Sequence, residues 1–390
     1  MAKKKLAILI NSLSKGGAEK IVSLLIQRYY TEFDLHLILL NPTIDFALPL
    51  SEITVHLLDD SNLHAKSRAR EILKLPALGK RLKRYLEKEQ IPVCYSFLAR
   101  PNFIAGMAKW WGWKGKSIIA ERQHTSSYYI PGTLMGNTGR FLVRNLYRHA
   151  DIITSNSKEM EHDLRHNYGL HNPSRVIYNP IDITEHQKQM HAEVPEWPAS
   201  DLFTFVHVGR MAPQKNHALL VEAMRLLRDE PCRVLLLGRG PLETALRQRV
   251  EEFGLQEKVL FVGFHANVVA WVHKADAFVL CSDFEGFPNA LLESLACGTP
   301  SISTDCLSGP RELLYQIPDR DQKIDDVVEA DFGLLCPMHD AESLAKGMRL
   351  LMQNEPMQER YRALGPQRAA EFDLPRIMGH FDNLLYEVVK

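Results

Sequence analysis

Residues 203–217 of this 390-residue chain read FTFVHVGRMAPQKNH. The first six form a short apolar run of the kind that makes a buried strand, and Gly209-Arg210 ends it. Lys215-Asn216 then precedes a stretch of helical period, which predicts a helix over His217–Arg228. A buried strand, a glycine turn and a helix make one βα unit, so this stretch predicts an α/β fold with parallel sheets.

The same alternation occurs along the whole chain. The predicted strands are Leu6–Ile10, Leu35–Leu40, Val93–Phe97, Ser117–Ala120, Asp151–Ser155, Phe203–Val208, Arg233–Leu237, Val259–Val262, Ala277–Cys281 and Pro300–Ser303. The other predicted helices are Ala18–Tyr30, Lys66–Glu89, Leu242–Glu252 and Leu291–Ala296. Pro76 and Gly79 should break or kink the helix over Lys66–Glu89.

The chain is longer than a single core usually supports, and its periodicity is interrupted once. A strand ends near Val176–Pro180, and the polar stretch that follows, with Pro195 and Pro198, has the composition of a hinge and linker. We therefore predict a first domain over residues 1–180, a second over residues 181–375, and a C-terminal helix over residues 376–390.

Charge is divided unevenly between the two halves. Residues 1–180 contain 26 Lys+Arg and 15 Asp+Glu, a net charge of +11, and the remainder contains 21 and 32, a net charge of −11. The basic half is suited to an anionic partner such as lipid head groups, a lipid diphosphate or nucleic acid. Because no recognised nucleic-acid module is present and the other half is acidic, we expect no nucleic-acid partner.

The cysteines and the apolar runs indicate the cellular compartment of the protein and the kind of membrane contact it makes. The six cysteines have neither a CxxC pair nor zinc-ligand spacing, and they are expected to be reduced core thiols of a cytoplasmic protein. The run Leu6–Ile10 is too short for a secretory signal, and no other apolar run is long enough to cross a bilayer. Any membrane contact should therefore be peripheral.

Two segments of the second half have residue types suited to a sugar nucleotide. Arg210 and Lys215 follow a strand, where a forked donor and a point charge suit a diphosphate, although a solvated pair at a helix start is an alternative. Glu285 and Glu293 lie eight residues apart, around a Gly-Phe-Pro turn, and offer acceptors for hydroxyl groups. Taken singly, each glutamate is also explained by the helix dipole or by solvation.

A glycine pair follows the first strand. Gly16 and Gly17 precede a helix, so the backbone can approach an anion at the helix N-terminus, although such a pair is often only a tight turn. The dinucleotide fingerprint GxGxxG and the P-loop are both absent there.

These motifs, in this order and spacing, resemble family 4 of the retaining glycosyltransferases, which has the GT-B fold. The matching segments are Gly16–Glu19 (GGAE), Val176–Asp182 (VIYNPID), Gly209–Asn216 (GR…KN), Gly238–Glu243 (GRGPLE), Glu285–Glu293 (E-x7-E) and Ser308–Glu312 (SGPRE). The resemblance covers nearly the whole chain. It implies two Rossmann-like domains that face each other across a cleft, with the C-terminal helix crossing back to the first domain.

The resemblance also implies roles for individual residues. Arg210 and Lys215 would hold the donor diphosphate as it leaves, with Gly209 beside them. Glu285 would meet the donor sugar and Glu293 the ribose. The amides of Gly286 and Phe287, together with Gly16 and Gly17, would complete the donor site.

The catalytic histidine that the family places in its first domain corresponds less clearly to this sequence. The family's pattern is close to SEH, and here two residues are inserted between the glutamate and the histidine in Glu121-Arg-Gln-His124. His124 is the candidate for orienting the donor or the acceptor hydroxyl, and Arg122 is the alternative at the aligned position. A histidine in a surface loop is the competing interpretation. The family implies a retaining, front-face transfer without a metal or another cofactor.

The expected reaction moves a hexose or N-acetylhexosamine, with UDP as the expected nucleotide, to a glycan or a polyprenyl-diphosphate-linked sugar in cell-surface polysaccharide or lipopolysaccharide synthesis. Lys109–Lys116, with three tryptophans, and Lys80–Arg84 are expected to contact an anionic inner leaflet, although the tryptophans also suit a core. An epimerase or a phosphorylase with the same fold is an alternative, and a nucleic-acid-binding protein that uses the basic half is an alternative of another class. The sugar, the linkage and the oligomeric state stay open.

Overall fold

The computed structural model describes residues 3–14, 16–59 and 68–389. The chain divides into two compact units, Met1–Asn179 with Met378–Lys390 (unit 1) and Pro180–Ile377 (unit 2). Each unit contains one seven-stranded sheet.

In unit 1 the strands are β1 (Lys5–Ile10), β2 (Asp34–Leu39), β3 (Thr54–Leu57), β4 (Val93–Phe97), β5 (Lys116–Glu121), β6 (Ile152–Ser155) and β7 (Ser174–Val176). The helices are α1 (Gly17–Tyr29), α2 (Arg68–Lys88), α3 (Ala99–Trp110), α4 (Thr125–Tyr128), α5 (Leu134–Leu146) and α6 (Lys158–Tyr168), with a short 3-10 turn at each of Leu50–Glu52 and Tyr147–His149. The strand order is β3-β2-β1-β4-β5-β6-β7, with every pairing parallel. The predicted parallel α/β fold is confirmed for this unit.

In unit 2 the strands are β8 (Phe203–Val208), β9 (Cys232–Leu237), β10 (Val259–Gly263), β11 (Ala277–Leu280), β12 (Ser301–Thr304), β13 (Val328–Glu329) and β14 (Leu334–Cys336). The helices are α7 (Ile183–Met190), α8 (His217–Leu226), α9 (Glu243–Glu252), α10 (Val268–Lys274), α11 (Asn289–Ala296), α12 (Pro310–Leu314), α13 (Ala341–Gln353) and α14 (Glu355–Ala370), with a 3-10 turn at Pro213–Lys215. A last helix, α15 (Leu374–Val389), follows α14. The strand order is β10-β9-β8-β11-β12-β14-β13, parallel except for β13.

Both sheets reverse their direction of winding beside the first strand of the unit. In unit 1 this happens between β1 and β4, and in unit 2 between β8 and β11. Ligands of open parallel sheets bind at such a switch point, outside the carboxyl ends of the strands. The loops after these four strands are therefore where a site is expected.

The prediction was that Pro76 and Gly79 break or kink the second helix, and a break was wrong. Helix α2 runs continuously through both residues, and Lys66 and Ser67 lie outside the described residues. Leu75, Leu78, Leu82 and Leu86 of this helix are buried. A Cβ on Gly79 would lie 2.5 Å from the Cβ of Met107, so the glycine allows α3 to pack closely against α2. Tertiary packing thus outweighs the local cost of proline.

The stretch after Pro180 also differs from its prediction as an irregular linker. Helix α7 occupies Ile183–Met190, and the Asp182 side chain caps it by accepting from the amide of Glu185 at 2.9 Å. His186 of this helix is buried and donates from Nε2 to the backbone oxygen of Glu293 at 3.0 Å. The six cysteines are free and buried, as predicted.

Candidate functional site

In unit 2, two loops lie side by side at the switch point. One follows β8 and contains Gly209 to Lys215, and the other follows β11 and contains Cys281 to Glu285. Because β8 and β11 pair directly, the carboxyl ends of both strands open at the same edge of the sheet. The structure thus brings together segments that are 70 residues apart in sequence.

Hydrogen bonds join the two loops. The Gln214 side chain donates to the backbone oxygen of Phe284 at 2.8 Å. The backbone oxygen of Gln214 accepts from the amide of Asp283 at 2.8 Å. Asn216 donates to the carboxylate of Asp283 at 2.7 Å and also caps α8. The loops are therefore held in one arrangement by groups that come from both of them.

Lys215 and Glu285 form the centre of this arrangement. Lys215 Nζ donates to Glu285 Oε1 at 2.6 Å, and Ser282 Oγ donates to the same oxygen at 2.6 Å. The Glu285 side chain is 7% exposed and that of Lys215 is 20% exposed. The charge of the lysine is thus offset by the carboxylate, while one-fifth of the lysine side chain is exposed to solvent. Ser282, which sequence reasoning missed, carries no motif signal beyond its place after a strand.

A third loop, which follows β9, packs against Gly209 and Met211. Gly238, at φ +131°, follows β9, and a Cβ there would overlap the backbone oxygen of Gly209. The amide of Met211 donates to the oxygen of Arg239 at 3.1 Å, and Gly240 lies against Met211 in the same way that Gly238 lies against Gly209. Close backbone packing therefore explains the glycines of the GRGP turn. The Arg210 side chain, one residue beyond Gly209, is exposed.

The remaining predicted residues of unit 2 surround the start of α11. Gly286 and Phe287 are buried, and Ser308 Oγ donates to the oxygen of Gly286 at 2.6 Å. Glu293 is half-buried on α11. Glu285 lies in the loop before this helix, so the spacing of eight residues crosses a turn and does not follow one helical face.

Two buried histidines lie beneath Lys215. The rings of His207 and His217 are 4.5 Å apart, and His207 donates from Nδ1 to the oxygen of Val279 at 2.8 Å. Burial and the nearby Lys215 lower the pKa of His217 from 6.5 to about 4. Burial lowers the pKa of His207 well below its ordinary value. Both imidazoles are therefore neutral at pH 7, which avoids placing a second cation under the lysine.

In unit 1, Gly16 and Gly17 stand at the start of α1, as predicted. A Cβ on Gly16 would overlap the carboxylate of Glu19, which folds back over the helix N-terminus. Burial raises the pKa of Glu19. An anion bound at this helix start would therefore need Glu19 to move away or to be protonated.

His124 and Arg122 follow β5 at the carboxyl edge of the unit 1 sheet. His124 is buried, caps α4 through the amide of Ser127, and has Nε2 4.0 Å from a carboxylate oxygen of Asp163. Burial lowers the pKa of His124. Arg122 donates to Asn179 at 3.0 Å and lies over the ring of Phe97. The histidine is thus enclosed by its own unit, whereas Arg122 is half-buried as a residue and its guanidinium Nε is buried.

A pocket of about 420 Å³ opens at the same edge of unit 1. Its apolar wall comes from α2, α3, α5, and α4 with the residue that follows it, and it includes Ile72, Leu75, Phe103, Tyr128, Tyr129, Met135 and Leu142. Its polar groups include Asn11, Ser12, Asn41, Gln123, Glu71 and Arg100. Arg100 pairs with Asp59 at 2.9 Å and approaches Glu71 at 3.9 Å, so its charge is largely offset. The pocket therefore suits a ligand that is mainly neutral.

Comparison with known proteins identifies relatives over the full chain. Residues 15–185 match the profile described as Glycosyltransferase Family 4, and residues 192–368 match the one described as Glycosyl transferases group 1. The chain is 34% identical, over 96% of its length and 97% of the relative's, to N-acetylgalactosamine-N,N'-diacetylbacillosaminyl-diphospho-undecaprenol 4-alpha-N-acetylgalactosaminyltransferase of Campylobacter jejuni.

Two further comparisons agree with this match. A second C. jejuni protein, GalNAc-alpha-(1->4)-GalNAc-alpha-(1->3)-diNAcBac-PP-undecaprenol alpha-1,4-N-acetyl-D-galactosaminyltransferase, is 26% identical over 98% of the chain and 99% of its own length. The fold is similar to that of Anabaena HepE, solved in complex with UDP, with a TM-score of 0.78 and 18% identity, over 98% of this chain and 100% of that one.

Proposed function

This chain belongs to glycosyltransferase family 4 and is a glycosyltransferase with the GT-B fold, and we propose that it transfers an N-acetylhexosamine from a UDP-linked donor to a polyprenyl-diphosphate-linked sugar. The proposal of substrates is supported by the two C. jejuni relatives, whose names specify N-acetylgalactosamine transfer to undecaprenol-linked glycans. UDP as the nucleotide follows from the motif resemblance.

The observation that carries the donor site is the pairing of Lys215 with Glu285 at the switch point of unit 2. A diphosphate at this edge would compete with Glu285 for the ammonium of Lys215, and the freed carboxylate could then accept hydroxyl groups of the donor sugar. Arg210, exposed on the adjoining loop, would supply a second cation. Negative charge grows on the leaving diphosphate during transfer, and two fixed cations stabilise it most at that stage.

Other residues have assigned roles in the same proposal. Glu293 would accept hydrogen bonds from the ribose hydroxyls. The amides of Gly286 and Phe287, together with Gly209, would line the phosphates and the sugar in unit 2. For unit 1, we propose Gly16 and Gly17 as donor-binding residues at the start of α1. The carboxylate of Glu19 has to leave the start of α1 before a phosphate can bind there.

We propose the pocket of unit 1 as the acceptor site. Its amides and hydroxyls suit sugar hydroxyl and acetamido groups, and its aromatic wall suits the apolar faces of sugar rings. For the residue that orients donor or acceptor beside it, Arg122 and His124 remain alternatives. Replacing each by alanine separates them, because only the variant of the functional residue should have a lowered kcat at a temperature at which both variants are fully folded.

Retention of configuration by a front-face route, and independence of a metal ion, complete the proposal. In that route the leaving phosphate accepts the proton of the acceptor hydroxyl, and Arg210 and Lys215 take the place of a cation. Activity that is unchanged by EDTA and a product with the donor's anomeric configuration, measured by proton NMR, would support both statements. Loss of activity in EDTA that Mg²⁺ restores would contradict the second.

Within the described residues, no helix combines the length and apolarity that crossing a bilayer requires. We propose peripheral contact with an anionic inner leaflet through Lys80–Arg84 and Lys109–Lys116. Lys80 Nζ lies 4.4 Å from the ring centre of Trp111, so the two segments adjoin. Trp110 and Trp111 are exposed, whereas Trp113 is buried in the core.

The proposed function is tested by incubating the full chain with UDP-N-acetylgalactosamine, UDP-N-acetylglucosamine and UDP-glucose, each with and without a polyprenyl-diphosphate-linked N-acetylated saccharide. Release of UDP and growth of the saccharide by one sugar are expected only when both substrates are present. Turnover of the sugar nucleotide without acceptor would indicate an epimerase or a hydrolase instead.

A further inference from the structure

Large apolar side chains are exposed on two of the helices that line the unit 1 pocket. Leu73 belongs to α2, and Ile130, Leu134, Met135 and Phe141 belong to α5 and the turn before it. Leu134 is 87% exposed and Phe141 is 64% exposed. These five residues are called the apolar rim below.

The local structure fixes these residues in their exposed positions. Thr133 caps α5 by accepting from the amide of Gly136 at 2.9 Å, and its hydroxyl donates to the oxygen of Ile130 at 3.1 Å. A Cβ on Gly136 would overlap that oxygen, so the turn packs directly on the first turn of the helix. Leu134 and Phe141 are seven residues apart and therefore lie along one side of α5.

The charge of the segment that contains α5 has a single sign. Residues 122–150 contain four arginines and no aspartate or glutamate. Arg140 donates to the hydroxyl of Tyr168 and Arg144 to the oxygen of Asn167, both neutral groups. Arg144 and Arg148 are exposed, and Arg144 lies one helical turn beyond Phe141. Exposed apolar side chains beside uncompensated arginines are typical of surfaces that bind anionic lipid.

The position of the rim relates it to the pocket. Helix α5 follows β5 and begins at the carboxyl edge of the sheet, where the pocket opens. Trp110 and Trp111 end α3, just before β5 begins, and therefore lie at the amino edge of the sheet. A six-residue strand is about 20 Å long, so a bilayer that touched only the tryptophans would lie far from the pocket mouth.

We propose that the apolar rim docks on an anionic lipid bilayer, in addition to the contact through Lys80–Arg84 and Lys109–Lys116, and holds the unit 1 pocket at the membrane surface. This inference rests on the proposed lipid-linked acceptor. Such an acceptor presents its sugars just outside the head groups, so an enzyme docked by the pocket edge meets them without extracting the lipid. A second copy of this chain is the rival occupant of the rim.

The test compares the full chain with the variants Leu134→Glu/Phe141→Glu, Trp110→Glu/Trp111→Glu and Ile317→Glu. Ile317 is an exposed apolar residue of unit 2 and serves as the matched control. Flotation uses vesicles of phosphatidylcholine alone or of an equal mixture with phosphatidylglycerol. We expect the wild type and Ile317→Glu to float with the anionic vesicles, and Leu134→Glu/Phe141→Glu to bind at least about tenfold more weakly.

Wild-type flotation of Leu134→Glu/Phe141→Glu would overturn the proposal, as would loss of flotation in the tryptophan variant alone. Light scattering examines the rival: if the rim variant turns a dimer into a monomer while vesicle binding is unchanged, the rim is a contact between copies. Thermal shift by UDP-N-acetylgalactosamine should be equal in all the proteins. If UDP-N-acetylgalactosamine does not shift the melting temperature of even the wild type, the proposed function fails, and the flotation result is judged separately.

Discussion

Replacing Lys215 by methionine should destabilise unit 2 as well as reduce catalysis. The substitution leaves Glu285 buried, with Ser282 as a remaining side-chain donor. Removing one partner of a buried ion pair costs about 3–5 kcal/mol. Because Lys215 is one-fifth exposed and the serine still donates, we expect a loss of about 2–3 kcal/mol in the free energy of unfolding.

The partner variant should behave differently. Glu285→Gln leaves an ammonium on a long side chain that can turn towards water, so a loss of about 1 kcal/mol is expected. The double variant leaves no unpaired charge. Its free energy of unfolding should therefore fall by about 1–2 kcal/mol less than the sum of the falls in the two single variants. Lys188→Met, which removes an exposed pair with Glu185, is the control and should change stability by less than about 0.5 kcal/mol.

Equilibrium urea unfolding of the four variants and the wild type measures these free energies. Because a chain of two units can unfold in two steps, the comparison uses the transition that both single variants shift. Steady-state kinetics with the UDP-sugar should show a fall of roughly 10²–10³ in kcat/KM for Lys215→Met. Additive losses, with a coupling below about 0.5 kcal/mol, would refute the idea that the two loops are joined through this pair.

Three further predictions concern a glutamate of the proposed donor site, a buried histidine and the buried cysteines. Glu293→Gln should lower kcat/KM for the UDP-sugar by roughly 10- to 100-fold without changing the melting temperature, whereas wild-type kinetics would place the carboxylate outside the site. His217 has a folded pKa of about 4 and an ordinary value of 6.5, so the unfolded chain binds more protons between these values and stability falls by about 3 kcal/mol as the pH drops from 6.5 to 4. His217→Leu should flatten that part of the stability profile in urea unfolding at a series of pH values, and an unchanged slope would contradict the assignment. A thiol reagent such as Ellman's should modify the six buried cysteines only as fast as the chain unfolds, and a rapidly reacting thiol in the native protein would show that one of them is accessible.

The apolar runs of the sequence predicted strands well because nearly every strand residue of the inner strands is buried. Strands β1, β4 and β8 lie within one residue of their predicted bounds. Helix α3 escaped prediction for the opposite reason: eight of its twelve residues are buried, so no polar face marks a helical period. Periodicity identifies an element only when one of its faces meets water.

The sequence by itself determined the α/β class, the order of the motifs and the membership of a glycosyltransferase family, because each depends on local patterns and on residues at fixed spacing. Only the tertiary structure decided that Lys215 and Glu285 pair, that Glu19 covers the start of α1, and that Trp113 is core while Trp110 is exposed. The first and the third of these facts depend on contacts between residues far apart in the chain, whereas Glu19 folds back over a residue only three positions away. Strand order and packing set such contacts, and no local period records them.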